Sequence, residues 1–191
     1  MAGRFDHLAT WPLTGRDEEL AFIAQRLASR SPGVLITGPV GTGKSRLAHE
    51  ARVAAITDGR PTRTVACTQA TSEIPYAALA AIHTDASQGD RFSEILDALR
   101  RESEPLVLCV DDIDRLDKDE VHAVFRLVKL TADFERVTYV MAFDPEVVGA
   151  ALQERYGPGH AGAGWDFIEK IVTVPLRLPP ARTGALFKLC S

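Results

Sequence analysis

The chain has 191 residues, a length suited to one α/β domain, and its 46% hydrophobic and 25% charged residues are typical of a globular protein. A formal net charge of -4 gives no general electrostatic attraction to nucleic acid or to an anionic membrane, and no apolar run approaches the ~20 residues that cross a bilayer. Residues 1–20 lack the apolar core of a signal peptide, and the three widely spaced cysteines are odd in number, so we expect a reducing, cytoplasmic setting.

Short apolar runs rich in β-branched residues alternate with segments of helical periodicity. In chain order, the pattern predicts a helix over 16–30, a strand over 34–37, a helix over 44–57, a strand over 62–67, a short helix near 75–83, a helix over 91–101, a strand over 106–110, a helix over 118–132, a strand over 137–143, a helix over 145–155 and a strand over 170–174. The alternation of strands and helices predicts an α/β fold in which helices wrap a parallel sheet.

Residues at two helix starts support this reading. Asp117 and Glu120 have the spacing of a capping box, and Asp144 precedes a proline at the first position of the next helix. The glycine-rich segment 157–165 follows a helix and lacks a Lys-Ser/Thr pair, so we interpret it as a flexible connection and not as a second phosphate site.

A phosphate-binding loop is predicted between the first strand and the second helix. Phosphate oxygens require several backbone N–H groups that converge on one point, which a glycine-rich loop before a helix N-terminus provides. Lys44 would reach the β- and γ-phosphates, and the hydroxyl of Ser45 would ligate Mg²⁺. The candidate nucleotide-binding residues in this segment are Gly38, Pro39, Val40, Gly41, Thr42, Gly43, Lys44, Ser45 and Arg46.

Two carboxylates follow the apolar strand that begins at residue 106. They stand at its carboxyl end, where open α/β sheets bind ligands. Asp111 is predicted to hold the Mg²⁺ bound to Ser45, directly or through water, and Asp112 to orient or deprotonate the attacking water. An alternative for Asp112 is a solvated acidic turn before the next helix, and this is the interpretation we favour for Asp114 and Asp117.

These two motifs resemble Walker A and Walker B of the P-loop NTPases, in the AAA+/STAND-like division. The resemblance implies a three-layer αβα sandwich around a five-stranded, mostly parallel sheet of order 5-1-4-3-2. Residues 13–55 resemble the ATPase module of LuxR-type regulators and other STAND proteins, in which a Gly-Arg-Asp/Glu element packs near adenine. Gly15, Arg16 and Asp17 match that element.

Residues 106–180 resemble the KAP family in "DDIDRL", "VMAFDPEVVGAALQERYG" and "EKIVTVPLRLPP". By this resemblance Asp144 is a sensor-like residue near the γ-phosphate, although it also suits a helix cap. Arg155 occupies the position of an arginine finger, and a solvated helix end is the interpretation we favour. The chain lacks the tryptophan that KAP proteins carry near the loop, and residues 46–105 contain no membrane-spanning helix. We expect an NTPase domain over 1–180 and a tail over 181–191, in a fragment or minimal version of such a protein.

The leading functional hypothesis is an ATP-hydrolysing switch or motor domain with ATP and Mg²⁺ as cofactors. Lys44 and Asp112 would be its catalytic residues, with a protein partner or self-association and no evident nucleic-acid binding. The preference for ATP over GTP follows from the resemblance. A nucleotide-binding signalling scaffold with negligible turnover is the main alternative. A small-molecule kinase is less favoured, because no arginine-rich lid segment follows the fourth strand.

Overall fold

A computed structural model describes residues 13–29, 33–67, 91–156, 168 and 175–179. Within them the elements follow in the order α1 (Asp17–Ala28), β1 (Gly33–Thr37), α2 (Lys44–Thr57), β2 (Thr62–Ala66), α3 (Arg91–Arg100), β3 (Leu106–Asp111), a 3₁₀ turn (Ile113–Arg115), α4 (Lys118–Thr131), β4 (Val137–Phe143), α5 (Pro145–Tyr156) and β5 (Pro175–Arg177). The first four strands and the helices other than the one near 75–83 are therefore confirmed, with small differences at their ends.

Three predicted segments lie outside the described residues: the helix near 75–83, the glycine-rich connection over 157–165 and the strand over 170–174. The fifth strand that the structure does describe begins downstream, at Pro175, and pairs with β1. In the described part of the chain, no helix combines the length and the hydrophobicity needed to cross a membrane.

The five strands form one parallel sheet in the order β2-β3-β4-β1-β5. Read from the other edge, this is the order 5-1-4-3-2 that the resemblance implied, so the predicted fold class is confirmed. Strand β4 lies between β1 and β3, and all three strands run in the same direction. The carboxyl ends of these three strands therefore lie side by side, and the candidate site residues directly follow these strand ends.

Helices cover the sheet on both faces. Because side chains alternate along a strand, Val34 and Ile36 of β1 pack with α1 and α2, while Leu35 packs in the cluster formed with α3, α4 and α5. Each helix presents an apolar stripe to its cluster, such as Ile23 and Leu27 on α1. The result is the three-layer sandwich.

Two of the cysteines are part of this core. Cys67 and Cys109 are both buried and free. Burial is the main reason that the pKa of each thiol lies above its usual range, and both therefore stay protonated at neutral pH. Protonated, enclosed thiols are poor nucleophiles, which gives these two residues a packing role.

The start of α4 differs from the predicted capping box. Asp117 accepts a hydrogen bond from the backbone N–H of Glu120 at 2.9 Å, which confirms the N-cap. The reciprocal bond does not form, because both carboxylate oxygens of Glu120 are buried without a hydrogen-bond partner. Burial, followed by the nearby charge of Asp117, raises the pKa of Glu120. The capping-box prediction is thus correct for one of its two bonds.

Gly33 of β1 is paired with Tyr139 of β4, and the two residues are closely packed. A methyl group at this position would lie 2.8 Å from the carbonyl oxygen of Tyr139 and 3.0 Å from its Cβ, so the strands would have to separate. We expect Gly33→Ala to lower the free energy of unfolding by about 1–3 kcal/mol, as overpacking commonly does, in urea denaturation. The matched control is Gly149→Ala in α5, where an added Cβ meets nothing within 4 Å. It should instead stabilise the protein by about 0.5–1 kcal/mol, and a neutral Gly33→Ala would contradict the prediction.

Candidate nucleotide-binding site

The segment from residue 38 to 43 curls between the end of β1 and the start of α2. Gly41 and Gly43 adopt φ values of 82° and 87°, a region that side chains rarely enter. Gly43 is the residue before α2, and its conformation turns the chain so that the helix N-terminus faces the loop. Backbone N–H groups and the positive end of the helix dipole thus converge on one point.

Close packing on Gly38 keeps the loop tight. A Cβ at this buried position would come within 3.0 Å of both the Leu178 carbonyl oxygen and Oγ1 of Thr42. Thr42 donates a hydrogen bond from Oγ1 to the carbonyl of Pro39 at 2.9 Å, which closes the curl from within. A side chain at this position would therefore require its neighbours to move, and glycine avoids this crowding.

The ammonium group of Lys44 lies inside this curl. Lys44 is only 9% exposed, and its Nζ donates to the carbonyl oxygens of Gly38 at 2.8 Å and Pro39 at 3.1 Å. A buried lysine is costly unless its donors are satisfied, and these two carbonyls accept two of its three N–H groups. The charge is consequently held inside the curl formed by the backbone of this loop.

Ser45 and Asp111 come together from distant parts of the sequence. The Ser45 hydroxyl donates to Oδ1 of Asp111 at 3.1 Å, joining the first turn of α2 to the end of β3. Strand β4 separates β1 from β3, so the contact depends on the shared carboxyl edge of the sheet. A hydroxyl and a carboxylate in contact are hard oxygen donors of the kind that Mg²⁺ prefers. The two predicted metal ligands therefore fit a shared cation.

The environment of Asp111 opposes its charge. Burial, reinforced by the neighbouring charge of Asp112, raises the pKa of the Asp111 carboxyl from 3.8 to about 6. The hydrogen bonds from the Ser45 hydroxyl and the backbone N–H of Asp112, the latter 2.9 Å long, act in the opposite direction without cancelling the effect. A bound divalent cation would favour the ionised form. This carboxylate is thus better suited to a cation than to solvent.

Asp112 has an unusual backbone. Its φ of 59° and ψ of 35° lie in the left-handed region, and among the described residues no other non-glycine has positive φ. The strained residue begins the 3₁₀ turn after β3, and its carboxylate is paired with Nε of Arg115 at 3.1 Å. Backbone strain of this kind is found at functional sites. The pairing with Arg115 was not predicted from the sequence.

Asp144 lies at the end of β4, between the other two strand ends. Its Oδ1 accepts the backbone N–H of Glu146 at 3.0 Å, which confirms the helix-cap role. Its own N–H donates to Oδ1 of Asp114 at 3.1 Å. Our interpretation of Asp114 as part of a solvated turn before α4 is therefore wrong, because its carboxylate bridges to a neighbouring strand. The sequence contains no signal for this contact, since the residues are 30 positions apart.

The Gly-Arg-Asp element lies against the loop. Gly15 adopts a φ of 68°, and Arg16 follows it at the N-terminus of α1. One guanidinium nitrogen of Arg16 pairs with Glu19 at 2.7 Å, and the other donates to the carbonyl of Thr42 at 3.4 Å. The structure thus places this element at the phosphate loop, on the side of α1 and α2.

Three further residues named in the sequence analysis are Val40, Arg46 and Arg155. Val40 is 82% exposed at the tip of the loop, and Arg46 forms an ion pair with Glu50 at 2.6 Å along α2. Arg155 lies in the last turn of α5, and its side chain is outside the described part of the structure.

Known proteins share this sequence pattern. The sequence matches the KAP family P-loop domain over residues 42–191, which is more than half of the chain. The Phage T7 exclusion protein of Escherichia coli (strain K12) is 30% identical over 73 residues, which represent 38% of this chain and 9% of that protein. The chain thus spans a small part of this curated relative.

The fold is also similar to solved structures. The Aeropyrum pernix Orc1 protein, solved in complex with DNA, aligns with a TM-score of 0.64 and 21% identity over 93% of this chain and 48% of that one. Cdc6p from Pyrobaculum aerophilum aligns with a TM-score of 0.65 and 16% identity over 94% and 49% of the two chains. This chain spans about half the length of both, and at these identities the likeness shows the fold alone. The sequence match and the loop geometry agree: this chain belongs to the KAP family of P-loop NTPase domains.

Proposed function

We propose that this domain binds Mg·ATP and hydrolyses it, acting as a nucleotide-dependent switch or motor. The main support is the contact between the Ser45 hydroxyl and the Asp111 carboxylate, 3.1 Å apart, beside a glycine loop that encloses the Lys44 ammonium. Backbone amides, one buried cation and a pair of oxygen donors suit a triphosphate and its metal. A purely structural turn has no need for this combination.

Each residue has a role in this proposal. The amides of the loop and the N-terminus of α2 bind the β- and γ-phosphates, with Lys44 neutralising their charge. Ser45 and Asp111 hold Mg²⁺, which when bound screens the charge on the phosphate oxygens. Asp112 orients the attacking water or takes its proton, and Asp144 lies near the γ-phosphate. Catalysis then consists mainly of positioning and charge stabilisation.

Base recognition is assigned to the segment before β1. Gly15 and Arg16 would pack near adenine, in keeping with their position against the loop through the Arg16–Thr42 contact. ATP is favoured over GTP because the chain resembles ATP-binding families and contains no Asn-Lys-x-Asp guanine signature. A switch also requires a responding element, so the proposal includes a protein partner or a second copy of the chain, in a reducing cytoplasm.

The second candidate function is a signalling scaffold that binds nucleotide with negligible turnover. The observation in its favour is the ion pair of Asp112 with Arg115, which occupies the carboxylate proposed to act on water. A base held in an ion pair must be released or reoriented before it can accept a proton. The scaffold and the hydrolase make opposite predictions about this one residue.

Asp112→Asn distinguishes the two functions. Asparagine tolerates the left-handed backbone, so the variant should fold while losing the proton acceptor. We expect phosphate release to fall by about 100-fold or more, with Mg·ATP affinity within about twofold of the original protein by calorimetry. The control is Asp119→Asn, an exposed carboxylate in the first turn of α4. If the unchanged protein binds tightly but releases no more phosphate than Asp112→Asn, the scaffold is the correct function.

A further inference from the structure

A hydrogen bond links the loops that follow β3 and β4. Oδ1 of Asp114 accepts the backbone N–H of Asp144 at 3.1 Å. We propose that Asp114 is a positioning residue, which sets Asp144 relative to the phosphate loop and thereby lets the domain distinguish a triphosphate from a diphosphate. The inference rests on the proposed function and assigns a role to a residue that is not itself proposed to bind the phosphates or the cation.

The bond joins the two sides of the site. Asp114 lies in the 3₁₀ turn that directly follows Asp111 and Asp112. It therefore belongs to the cation side, by which we mean the part of the site that carries the proposed metal ligand Asp111. Asp144 is the first residue after β4, and β4 is hydrogen-bonded to both β1 and β3. A shift of either loop therefore stretches or breaks the bond unless the other loop follows.

The position of Asp144 is set by bonds on either side. The backbone N–H of Asp144 donates to Asp114, and Oδ1 of Asp144 accepts the N–H of Glu146 at 3.0 Å. Its carbonyl also accepts the N–H of Val148 at 3.2 Å in the first turn of α5. The bonds from Glu146 and Val148 both form between Asp144 and the first turn of α5. Of these three hydrogen bonds between described residues, the Asp114 bond is the one that ties this turn to the loop that carries the metal ligand, because the other two are local to the helix.

The turn after β3 is itself restrained. The N–H of Asp112 donates to Asp111, and Arg115 pairs with Asp112, so the segment has little freedom to move independently. The Asp114 bond extends this restrained segment to the end of β4. Because a carboxylate and a phosphate both only accept hydrogen bonds, a γ-phosphate near Asp144 would interact with it through a bridging water that donates to both, and the position of this carboxylate already depends on the cation side. A diphosphate lacks the group that this arrangement recognises.

Asp117 offers a matched control for removing one carboxylate. Its Oδ1 also accepts one backbone N–H, at 2.9 Å, but the partner is Glu120 within α4. Asp114→Ala and Asp117→Ala each delete a single side-chain acceptor in the same loop, and both should lower the melting temperature. Only Asp114→Ala removes a bond to another strand end. Asp114→Asn keeps an oxygen acceptor and removes the charge, which separates the hydrogen bond from electrostatics.

The experiment measures the affinity of each variant for Mg·ADP and for the non-hydrolysable Mg·AMP-PNP by calorimetry, together with phosphate release from ATP. We expect Asp114→Ala to weaken AMP-PNP binding about tenfold relative to ADP and to lower kcat by a similar factor. Asp114→Asn should largely restore both quantities. Asp117→Ala should leave the affinity ratio and kcat unchanged.

An unchanged ratio in Asp114→Ala would overturn the inference, and so would an equal change in Asp117→Ala. A failure of Asp114→Asn to restore the ratio would also overturn it, because charge and not the hydrogen bond would then be responsible. Different results would contradict the proposed function. If the unchanged protein binds neither nucleotide, the site assignment itself is wrong, and if it binds both without phosphate release, the affinity ratio still decides the role of Asp114.

Discussion

Lys44→Ala should abolish measurable binding of Mg·ATP, with a loss of affinity of about 100-fold or more. The physical reason is that a buried ammonium opposite phosphate oxygens forms charge-assisted hydrogen bonds in a poorly solvated site, and truncating one partner of such a pair costs about 2–5 kcal/mol. Lys44 is 9% exposed and already enclosed by the loop, so solvent cations cannot take its place efficiently. Isothermal titration calorimetry measures the change directly.

The control for this variant must exclude unfolding. Lys44 also satisfies the carbonyls of Gly38 and Pro39, and its removal alters the loop as well as the charge. Lys129→Ala removes an exposed lysine from the last turn of α4 and should leave the affinity unchanged. Circular dichroism should show the same helix content in both variants. A folded Lys44→Ala protein with unchanged affinity would refute the phosphate site.

Asp111→Asn should have two opposite effects. The amide can still accept hydrogen bonds from Ser45 and from the backbone of Asp112, but it is a poor ligand for Mg²⁺. We therefore expect phosphate release to fall by about 100-fold or more and the Mg²⁺ dependence of ATP affinity to disappear. In the absence of added Mg²⁺ and nucleotide, the variant should be more stable than the original protein at neutral pH.

The sign of that stability change follows from the carboxyl's pKa, which burial raises from 3.8 to about 6. Between these values the folded state binds more protons than the unfolded state, so the free energy of unfolding decreases as pH rises. The favourable contribution is complete below pH 3.8 and lost as pH passes through about 6. By then the charged carboxyl costs at most about 3 kcal/mol, at 1.36 kcal/mol per pH unit.

Urea denaturation at pH 4.5, 6 and 7.5 with a chelator tests this expectation. The original protein should lose stability across this range relative to Asp111→Asn, and the variant should exceed it by about 1–3 kcal/mol at pH 7.5. Addition of Mg·ATP should reverse the order, because only the original protein gains stability from the ligand. A variant that is less stable at every pH would show that the ionised carboxylate is already compensated by its hydrogen bonds.

Local sequence patterns determined much of this structure. Helices such as Lys118–Thr131 were predictable because apolar residues recur with the helical period. The cap of this helix was also predictable, because Asp117 bonds to a residue only three positions away. The phosphate loop was predictable for the same reason. Gly41, Gly43 and Lys44 act on backbone atoms a few residues away, so their spacing alone encodes the curl.

Contacts between strands were decided by the tertiary structure. The strand order was expected only through family resemblance, since no local pattern states that β4 separates β1 from β3. The same holds for Asp114, whose local sequence suits a solvated turn and whose actual partner lies 30 residues away at the end of β4. It also holds for Arg16, which meets the loop only because α1 packs against α2.

The physical reason for this division is the range of the interactions. Periodicity, helix capping and glycine conformations depend on residues within a few positions of one another. Their contribution to local structure can therefore be predicted from short stretches of the sequence. The pairing of Ser45 with Asp111, and the burial that raises the carboxyl's pKa, depend on how the whole sheet brings its carboxyl ends together. The residue types at the site were therefore evident from the sequence, while their distances, their ionisation and the bridge through Asp114 arose only on folding.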